Sequence, residues 1–325
     1  MTGERKYLYG PVPSRRLGLS YGIDIIPFKV CTLDCVYCQL GRTAEKTTRR
    51  RDFGPVEPVL TELREALATG READFVTIGG SGEPTLHLRL GELVDGIKKV
   101  TDIPVALLTN GTLLYRPDVR ADCAKVDVAM PSLDAADEQT FRRIDRPEPT
   151  ISIENIISGL CKFRKEFGGQ IWLEIFLVRS INTGSPQIAR IKEAIGRIKP
   201  DKVQLNTAVR PTADPSVVRL RAEELDEIAA QLGPGCEVVA GFSRAANELI
   251  GAANEEDELG HHCLFRNKRQ TLLSMLKRRP CSLDDISASL SISRIEVAKY
   301  VADLQDRGLI QAEDKGGQIF FKSTS

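Results

Sequence analysis

The chain reads as an α/β protein: a partial (β/α)6-type barrel followed by a small winged helix-turn-helix domain. Short β-rich runs alternate with amphipathic helical stretches from about residue 21 to residue 242. Several of the runs, such as Phe75-Val76-Thr77-Ile78 and Val105-Ala106-Leu107-Leu108, are almost wholly apolar, as strands of a helix-covered parallel sheet are. Near residue 245 the pattern changes to a small, acidic stretch and then to helix–helix–hairpin.

The strand candidates are residues 21–28, 74–80, 104–110, 125–133, 170–179, 202–207 and 237–242. Helical patterns cover 58–68, 88–100, 153–167, 187–198 and 222–232. Strand–helix alternation implies right-handed βαβ units. Six such units and a seventh strand suggest an open barrel, whose functional residues belong on the loops at the C-terminal strand ends. The expected division is a core over 1–245, a linker or cap over 246–263, and a winged helix-turn-helix over 264–325. In the last part, 264–277, 283–290 and 293–307 are helical. Ser282 with Asp285 and Ser293 with Glu296 resemble capping boxes, and Gly316-Gly317 turns a hairpin.

Composition narrows the function classes. The 325 residues are 42% hydrophobic and 28% charged, with 45 basic and 45 acidic side chains, so no global field announces a nucleic-acid or membrane partner. No run approaches the roughly 20 apolar residues of a membrane span. The polar N-terminus carries no secretory pattern, so a cytoplasmic setting is expected. Residues 264–325 hold 11 basic and 7 acidic side chains, a net +4, but 293–307 mixes Arg294, Lys299 and Arg307 with Glu296, Asp303 and Asp306. That is a weak footprint for DNA, and docking or dimerisation is an equal reading.

Of eight cysteines, Cys31, Cys35 and Cys38 crowd into eight residues after the first predicted strand, and the rest are scattered. Three soft thiolates suit one polynuclear iron–sulfur cluster better than a structural zinc ion, which normally takes four ligands. With no fourth Cys or His nearby, one iron of a [4Fe–4S] cluster would stay open. Zinc, or simple buried thiols, is the alternative. Cys123 and Cys161 fall in helical patterns as small hydrophobes. His261-His262-Cys263, with Cys236 and Cys281, lacks the spacing of a second metal site.

The Cys31-Thr32-Leu33-Asp34-Cys35-Val36-Tyr37-Cys38 pattern, with its aromatic before the last cysteine, resembles the signature loop of the radical SAM superfamily. Gly79-Gly80-Ser81-Gly82-Glu83-Pro84-Thr85, ending the second predicted strand, is similar to that family's Gly-Gly-Glu-Pro motif, with Ser81 as an extra residue. The resemblance covers residues 7–242. It implies that Cys31, Cys35 and Cys38 hold a [4Fe–4S] cluster, with S-adenosylmethionine on the open iron and Tyr37 near the adenine. The cofactor's ammonium would face backbone carbonyls of Gly79, Gly80, Ser81 and Gly82, or Glu83. Asn110, Ser132, Asp134 and Asn206, polar at the ends of apolar strands, would touch ribose, methionine or substrate, with Glu174 and Arg179 as further candidates.

Implied too are reductive cleavage to a 5′-deoxyadenosyl radical, hydrogen abstraction from substrate, and a reductant protein such as ferredoxin or flavodoxin. The stretch from Gly10 to Gly18 and Cys38-Gln39-Leu40-Gly41 resemble a group of short Fe–S oxidoreductases similar to the wyosine tRNA-base synthases. This chain lacks those enzymes' extra N-terminal cysteines. Ser14, Arg15 and Arg16 suit either an anion at the mouth or core carboxylates, and Lys46-Thr47-Thr48-Arg49-Arg50-Arg51 either a polyanion guide or plain surface. Two functions stay open: an enzyme acting on an RNA base, a peptide or a small metabolite, with the winged helix gripping a macromolecule, and a redox- or SAM-responsive DNA-binding regulator.

Overall fold

The computed structural model describes residues 7–14, 16–70, 72–240, 261–290, 292, 294–315 and 317–324. β1 (Leu8–Ser14) lies antiparallel to β2 (Gly18–Ile23). Two short pieces, β3 (Val30–Cys31) and β4 (Glu45–Lys46), pair in parallel. Then follow α1 (Val56–Leu67), β5 (Phe75–Ile78), α2 (Leu90–Val100), β6 (Val105–Thr109), α3 (Pro117–Cys123), β7 (Val128–Pro131), α4 (Glu138–Ile144) and α5 (Ile153–Glu166). The barrel portion ends with β8 (Gln170–Leu177), α6 (Ser185–Ile198), β9 (Lys202–Thr207), α7 (Ala222–Leu232) and β10 (Cys236–Val238). The C-terminal module comprises α8 (His261–Arg278), α9 (Leu283–Leu290), α10 (Arg294–Asp306) and the hairpin β11 (Ile310–Lys315) and β12 (Gln318–Ser323).

Among the described residues the main sheet runs β1-β2-β5-β6-β7-β8-β9-β10, parallel throughout except for β1. The parallel strands follow chain order without a reversal, as in barrel winding and unlike a doubly wound sheet. Consecutive helices accordingly pack on one another along one face, α1 on α2, α2 on α3, α5 on α6 and α6 on α7. Alternation along the strands separates two faces. Val105 and Leu107 join the helix-side core, whereas Ala106 and Leu108 turn inward to Leu17, Val128, Met130 and Trp172.

Local chemistry accounts for the helices. In α1, Val56, Val59, Leu60, Leu63 and Ala66 form one buried stripe at helical spacing. Asp137 caps α4 through the amide of Thr140 at 2.9 Å, and Ser152 caps α5 through that of Asn155 at 3.3 Å. Gly159 brings α5 against the turn before α3, where a Cβ would stand 2.6 Å from the amide nitrogen of Tyr115.

Several elements depart from the sequence reading. β1 is a strand although its run contains Pro11 and Pro13, which an edge position tolerates. The strand expected at residues 21–28 is β2, three residues earlier, because the chain leaves the sheet at Asp24. The helices α3 and α4 were not expected. At seven residues each, they are too short for a periodic stripe to register. Residues 241–242 of the last expected strand, most of the 246–263 linker, and Arg15 lie outside the described residues, as do the side chains of His261, His262 and Cys263.

The C-terminal module packs against the barrel. Tyr9 and Val12 of β1 enter its core beside Leu272, Met275, Ile286 and Val301, and Cys281 bridges to Phe321 of β12. Thus the edge strand is covered rather than bare.

Replacing Gly159 with alanine forces a methyl into the backbone of the 114–115 turn. The expected loss is about 1–3 kcal/mol, read as a lowered denaturant midpoint with unchanged slope. An unchanged midpoint would show that α5 has room at this crossing.

Candidate active site at the C-terminal mouth

The polar residues named from sequence gather at the C-terminal ends of the parallel strands. Cys31 is on β3, and the loop to Cys38 is held by its backbone. The amides of Asp34 and Val36 donate to the carbonyls of Asp145 and Ile144, at 3.0 and 2.9 Å. From the other side, the amides of Ala213 and Asp214 donate to the carbonyls of Cys38 and Val36, at 2.8 and 2.9 Å. The ring of Tyr37 stacks on Phe176 of β8, with centroids 3.9 Å apart and planes at 10°, while its hydroxyl donates to Asp134.

The glycine-rich turn after β5 is shaped by close approaches. A Cβ on Gly82 would fall 2.1 Å from the carbonyl oxygen of Val30, so this position must stay bare. The Ser81 carbonyl accepts from the amide of Lys29 at 2.7 Å. Glu83, with 2% of its surface exposed, is a brace. Its Oε1 accepts from the amide and hydroxyl of Thr85, at 3.1 and 2.6 Å, and from the Thr109 hydroxyl at 2.6 Å. Its Oε2 accepts from the amide of Asn110 at 2.8 Å. The carboxylate thereby joins the turn to the end of β6, with three donors on Oε1 and one on Oε2. Burial nevertheless raises its pKa, with these hydrogen bonds opposing.

Asn110 donates to the Thr32 hydroxyl at 2.7 Å and toward Cys31 Sγ at 3.5 Å, and its Oδ1 accepts from Thr112. Asp134 also accepts from the amide of Phe176 at 2.6 Å. Ser132 bridges in parallel to Glu174 of β8. Deeper in the barrel, Glu174 accepts from Asn206 at 2.9 Å and from Arg16 at 2.5 Å, which settles Arg16 as the partner of an interior carboxylate. Arg179, by contrast, turns outward to Glu224 of α7. The basic run after the cluster loop is partly structural: Arg50 is sheltered and donates to the carbonyls of Thr85 and His87 and to Asp118 and Asp122.

The pattern reading missed Lys29, Asp24, Phe176 and Asp145. Lys29 is 3% exposed, adopts φ 60°, and directs Nζ to Cys38 Sγ at 3.1 Å. A buried lysine has no period to betray it, and only its place six residues before Cys35 was visible. Asp145 lies against Cys35 and Asp134, and burial raises its carboxyl to about 7. Asp134 is raised as well, first by burial and then by Asp145.

The thiols of Cys31, Cys35 and Cys38 share this one loop. Burial lifts Cys31 to about 12, with Glu83 and Cys38 adding to it, and lifts Cys35 well above its ordinary range, with Asp145 and the other two thiols adding to it. Among the described residues no three His, Cys, Asp or Glu side chains converge tightly enough for a single metal ion. Separate thiolates around a polynuclear cluster fit this spacing, and iron supplies the cationic partner that buried thiolates need. Beside the loop lies a cavity of about 360 Å³, floored by Val36, Val178, Ile181 and Val217 and rimmed by Arg143, Arg146 and Arg179.

The parallel strand order and the three-cysteine loop define an iron–sulfur enzyme class, and comparison agrees. A family model described as the radical SAM superfamily matches residues 25–190. A protein called GTPase Obg from Brachyspira hyodysenteriae is 34% identical over 97% of this chain, which spans 45% of that relative, less than half its length. A UPF0026 protein from Methanocaldococcus jannaschii is 31% identical over 94% of this chain and 97% of its own. The crystal structure of Streptococcus suis SuiB bound to S-adenosylmethionine superposes with a TM-score of 0.50 at 16% identity, over 68% of this chain and 50% of that one, and shows the same fold. The chain belongs to the radical SAM superfamily and, within it, to the UPF0026 proteins. Its cofactors are those of the superfamily, a [4Fe–4S] cluster and S-adenosylmethionine. Among the described residues no helix is long and apolar enough to cross a membrane.

The brace at Glu83 is testable without cofactor. Glu83→Gln keeps one carbonyl acceptor but points an amide donor at an existing donor. The apoprotein should lose about 1–3 kcal/mol in chemical denaturation. A neutral result would show that the turn holds its shape without the carboxylate.

Proposed function

We propose that this is a radical enzyme in which Cys31, Cys35 and Cys38 each hold an iron of the [4Fe–4S] cluster. Tyr37, Gly79, Gly80, Ser81, Gly82, Asn110, Ser132, Asp134 and Asn206 would surround S-adenosylmethionine. The observation that carries this reading is the convergence of the cysteine loop, the Glu83-braced turn and the Tyr37–Asp134–Phe176 contact at one strand-end mouth. The bound pair supplies a hydrogen-abstracting carbon radical, through one-electron reductive cleavage of S-adenosylmethionine to 5′-deoxyadenosyl.

The protein's own residues do the rest. Lys29 sets a positive charge against the Cys38 sulfur and offsets the charge of the thiolate set. Backbone carbonyls of the turn, or Glu83 through Oε2, which accepts a single protein donor, would meet the cofactor's ammonium. The Tyr37–Phe176 stack would give the site an apolar wall, and exclusion of water protects a radical from side reactions. Arg16, Glu174 and Asn206 would form the polar floor beneath a substrate.

We read α8, α9, α10 and the β11–β12 hairpin as a winged helix. Arg294 pairs with Asp284, and Arg307 with Asp303, each at 3.0 Å. Residues 264–325 keep a net charge of +4, spread over a surface that mixes both signs. With its core shared with β1, the module fits a part of an enzyme better than a tethered DNA reader. An RNA base is the first substrate to test, then peptides and small metabolites, with a ferredoxin- or flavodoxin-type protein as reductant in the cytoplasm.

Anaerobically reconstituted and reduced protein should form 5′-deoxyadenosine from S-adenosylmethionine. Alanine at Cys31, Cys35 and Cys38 should abolish both cluster loading and product. A fully loaded protein that makes none, with RNA, peptide and metabolite pools present, would sink the enzyme reading.

A further inference from the structure

We propose that the C-terminal module completes the cofactor mouth, with Arg278 and the Asp285–Arg210 pair positioning the two loops that hold cofactor and cluster. The inference rests on the functional reading of residues 31–38 and 79–84 above.

The first link runs through Asp24, the residue after β2. Its Oδ2 accepts from the amide of Ser81 at 3.2 Å and from the Ser81 hydroxyl at 2.5 Å. Gly80, at φ 145°, passes so near that a Cβ would stand 2.5 Å from the Asp24 carboxyl carbon. The turn therefore rests directly on this carboxylate. Arg278, the last residue of α8, approaches the same oxygen with Nε at 3.5 Å, and the two side chains are 15% and 9% exposed. Its guanidinium lies over the Tyr9 ring, 4.4 Å from the centroid, and Nη1 donates to the Ser274 carbonyl at 2.8 Å. Ring and helix end fix where the charge sits. The Asp24 carboxyl thus sits between the Arg278 guanidinium and the two Ser81 donors, and hydrogen bonds that involve charged partners are the stronger kind.

The second link reaches the opposite wall. Arg210, three residues beyond β9 and 8% exposed in its side chain, donates from Nη2 to Asp285 of α9 at 2.9 Å. Lys315 of β11 donates to the Thr212 hydroxyl at 3.1 Å. The same loop continues into Ala213 and Asp214, whose amides hold the carbonyls of Cys38 and Val36. One module thus grips the glycine-rich turn through Asp24 and the cluster loop through residues 210–214. The coupling works in both directions: cofactor binding stiffens the module, and any ligand of the module alters cofactor affinity.

The test uses full-length protein carrying Arg278→Ala, Arg278→Lys or Asp285→Asn, each checked for wild-type circular dichroism and reconstituted with iron and sulfide. Three quantities are read: the S-adenosylmethionine Kd by equilibrium dialysis, the electron paramagnetic resonance change on adding it to the reduced cluster, and amide hydrogen exchange of the apoprotein.

Arg278→Ala should weaken binding about tenfold and quicken exchange in 79–84, and Asp285→Asn should quicken it in 210–216. Arg278→Lys should recover part of the affinity. Should Arg278→Ala fail to fold, the lysine and Asp285→Asn variants carry the test. Wild-type affinity and spectra, with faster exchange confined to 261–324, would overturn the proposal. If the unmutated protein itself binds no S-adenosylmethionine, the functional reading fails instead. Exchange in 79–84 and 210–216 then decides the positioning role alone.

Discussion

A carboxylate without access to water organises the mouth of this barrel. Glu83 follows four residues that carry almost no side-chain mass, on a turn that would otherwise have little to hold it. Its two oxygens gather four donors from Thr85, Thr109 and Asn110. A buried carboxylate is tolerated when it is hydrogen-bonded in this way, and losing a partner is costly because the group cannot turn to solvent instead. The ends of β5 and β6 are thereby tied together. Asn110, whose amide is one of the donors, is delivered with its side chain toward Thr32 and Cys31.

The same economy of buried polar groups shapes the cysteine loop. Cys35, the Tyr37 hydroxyl, Asp134 and Asp145 are packed into one sheltered volume, and burial, with the nearby carboxylates, raises Cys35 and Tyr37 well above their ordinary ranges. Lys29 is the cation that the sequence places against Cys38, in a left-handed backbone conformation that only a strongly determined site sustains. A cluster iron would add the remaining positive charge. Burial that penalises free thiolates would favour bound ones in such an environment.

The barrel's open edge explains the position of the C-terminal module. Seven parallel strands do not close on themselves, and β1 leaves one row of backbone groups to be covered. Tyr9 and Val12 make that edge apolar, and α8 and α9 pack on it. Once docked there, the end of α8 lies at Asp24 and the start of α9 at Arg210, so the cover of an edge becomes part of the wall of a site.

Much of this was legible in one sequence. The apolar strands 75–78, 105–109 and 202–207, the long helical stripes, the CxxxCxxC loop and the glycine-rich turn are local patterns, and periodicity or spacing reports them directly. The residue types at strand ends, Asn110, Asp134 and Asn206, followed from barrel geometry. What the tertiary structure alone decided is partnership. Arg16 and Arg179 look equivalent as isolated arginines, yet one enters the barrel to Glu174 and the other leaves it for Glu224. Glu83 shows no sign in the sequence of the four donors that gather around it. Lys29, Asp24, Asp145 and Arg278 carry no period and no motif. Their roles come from neighbours between 9 and 254 residues away along the chain, as Lys29 to Cys38 and Arg278 to Asp24 show. Local pattern sets which elements form, because backbone propensity and the hydrophobic period act over a few residues. Charge pairing in a buried site is set by which loops the closed fold brings within a few ångströms of each other.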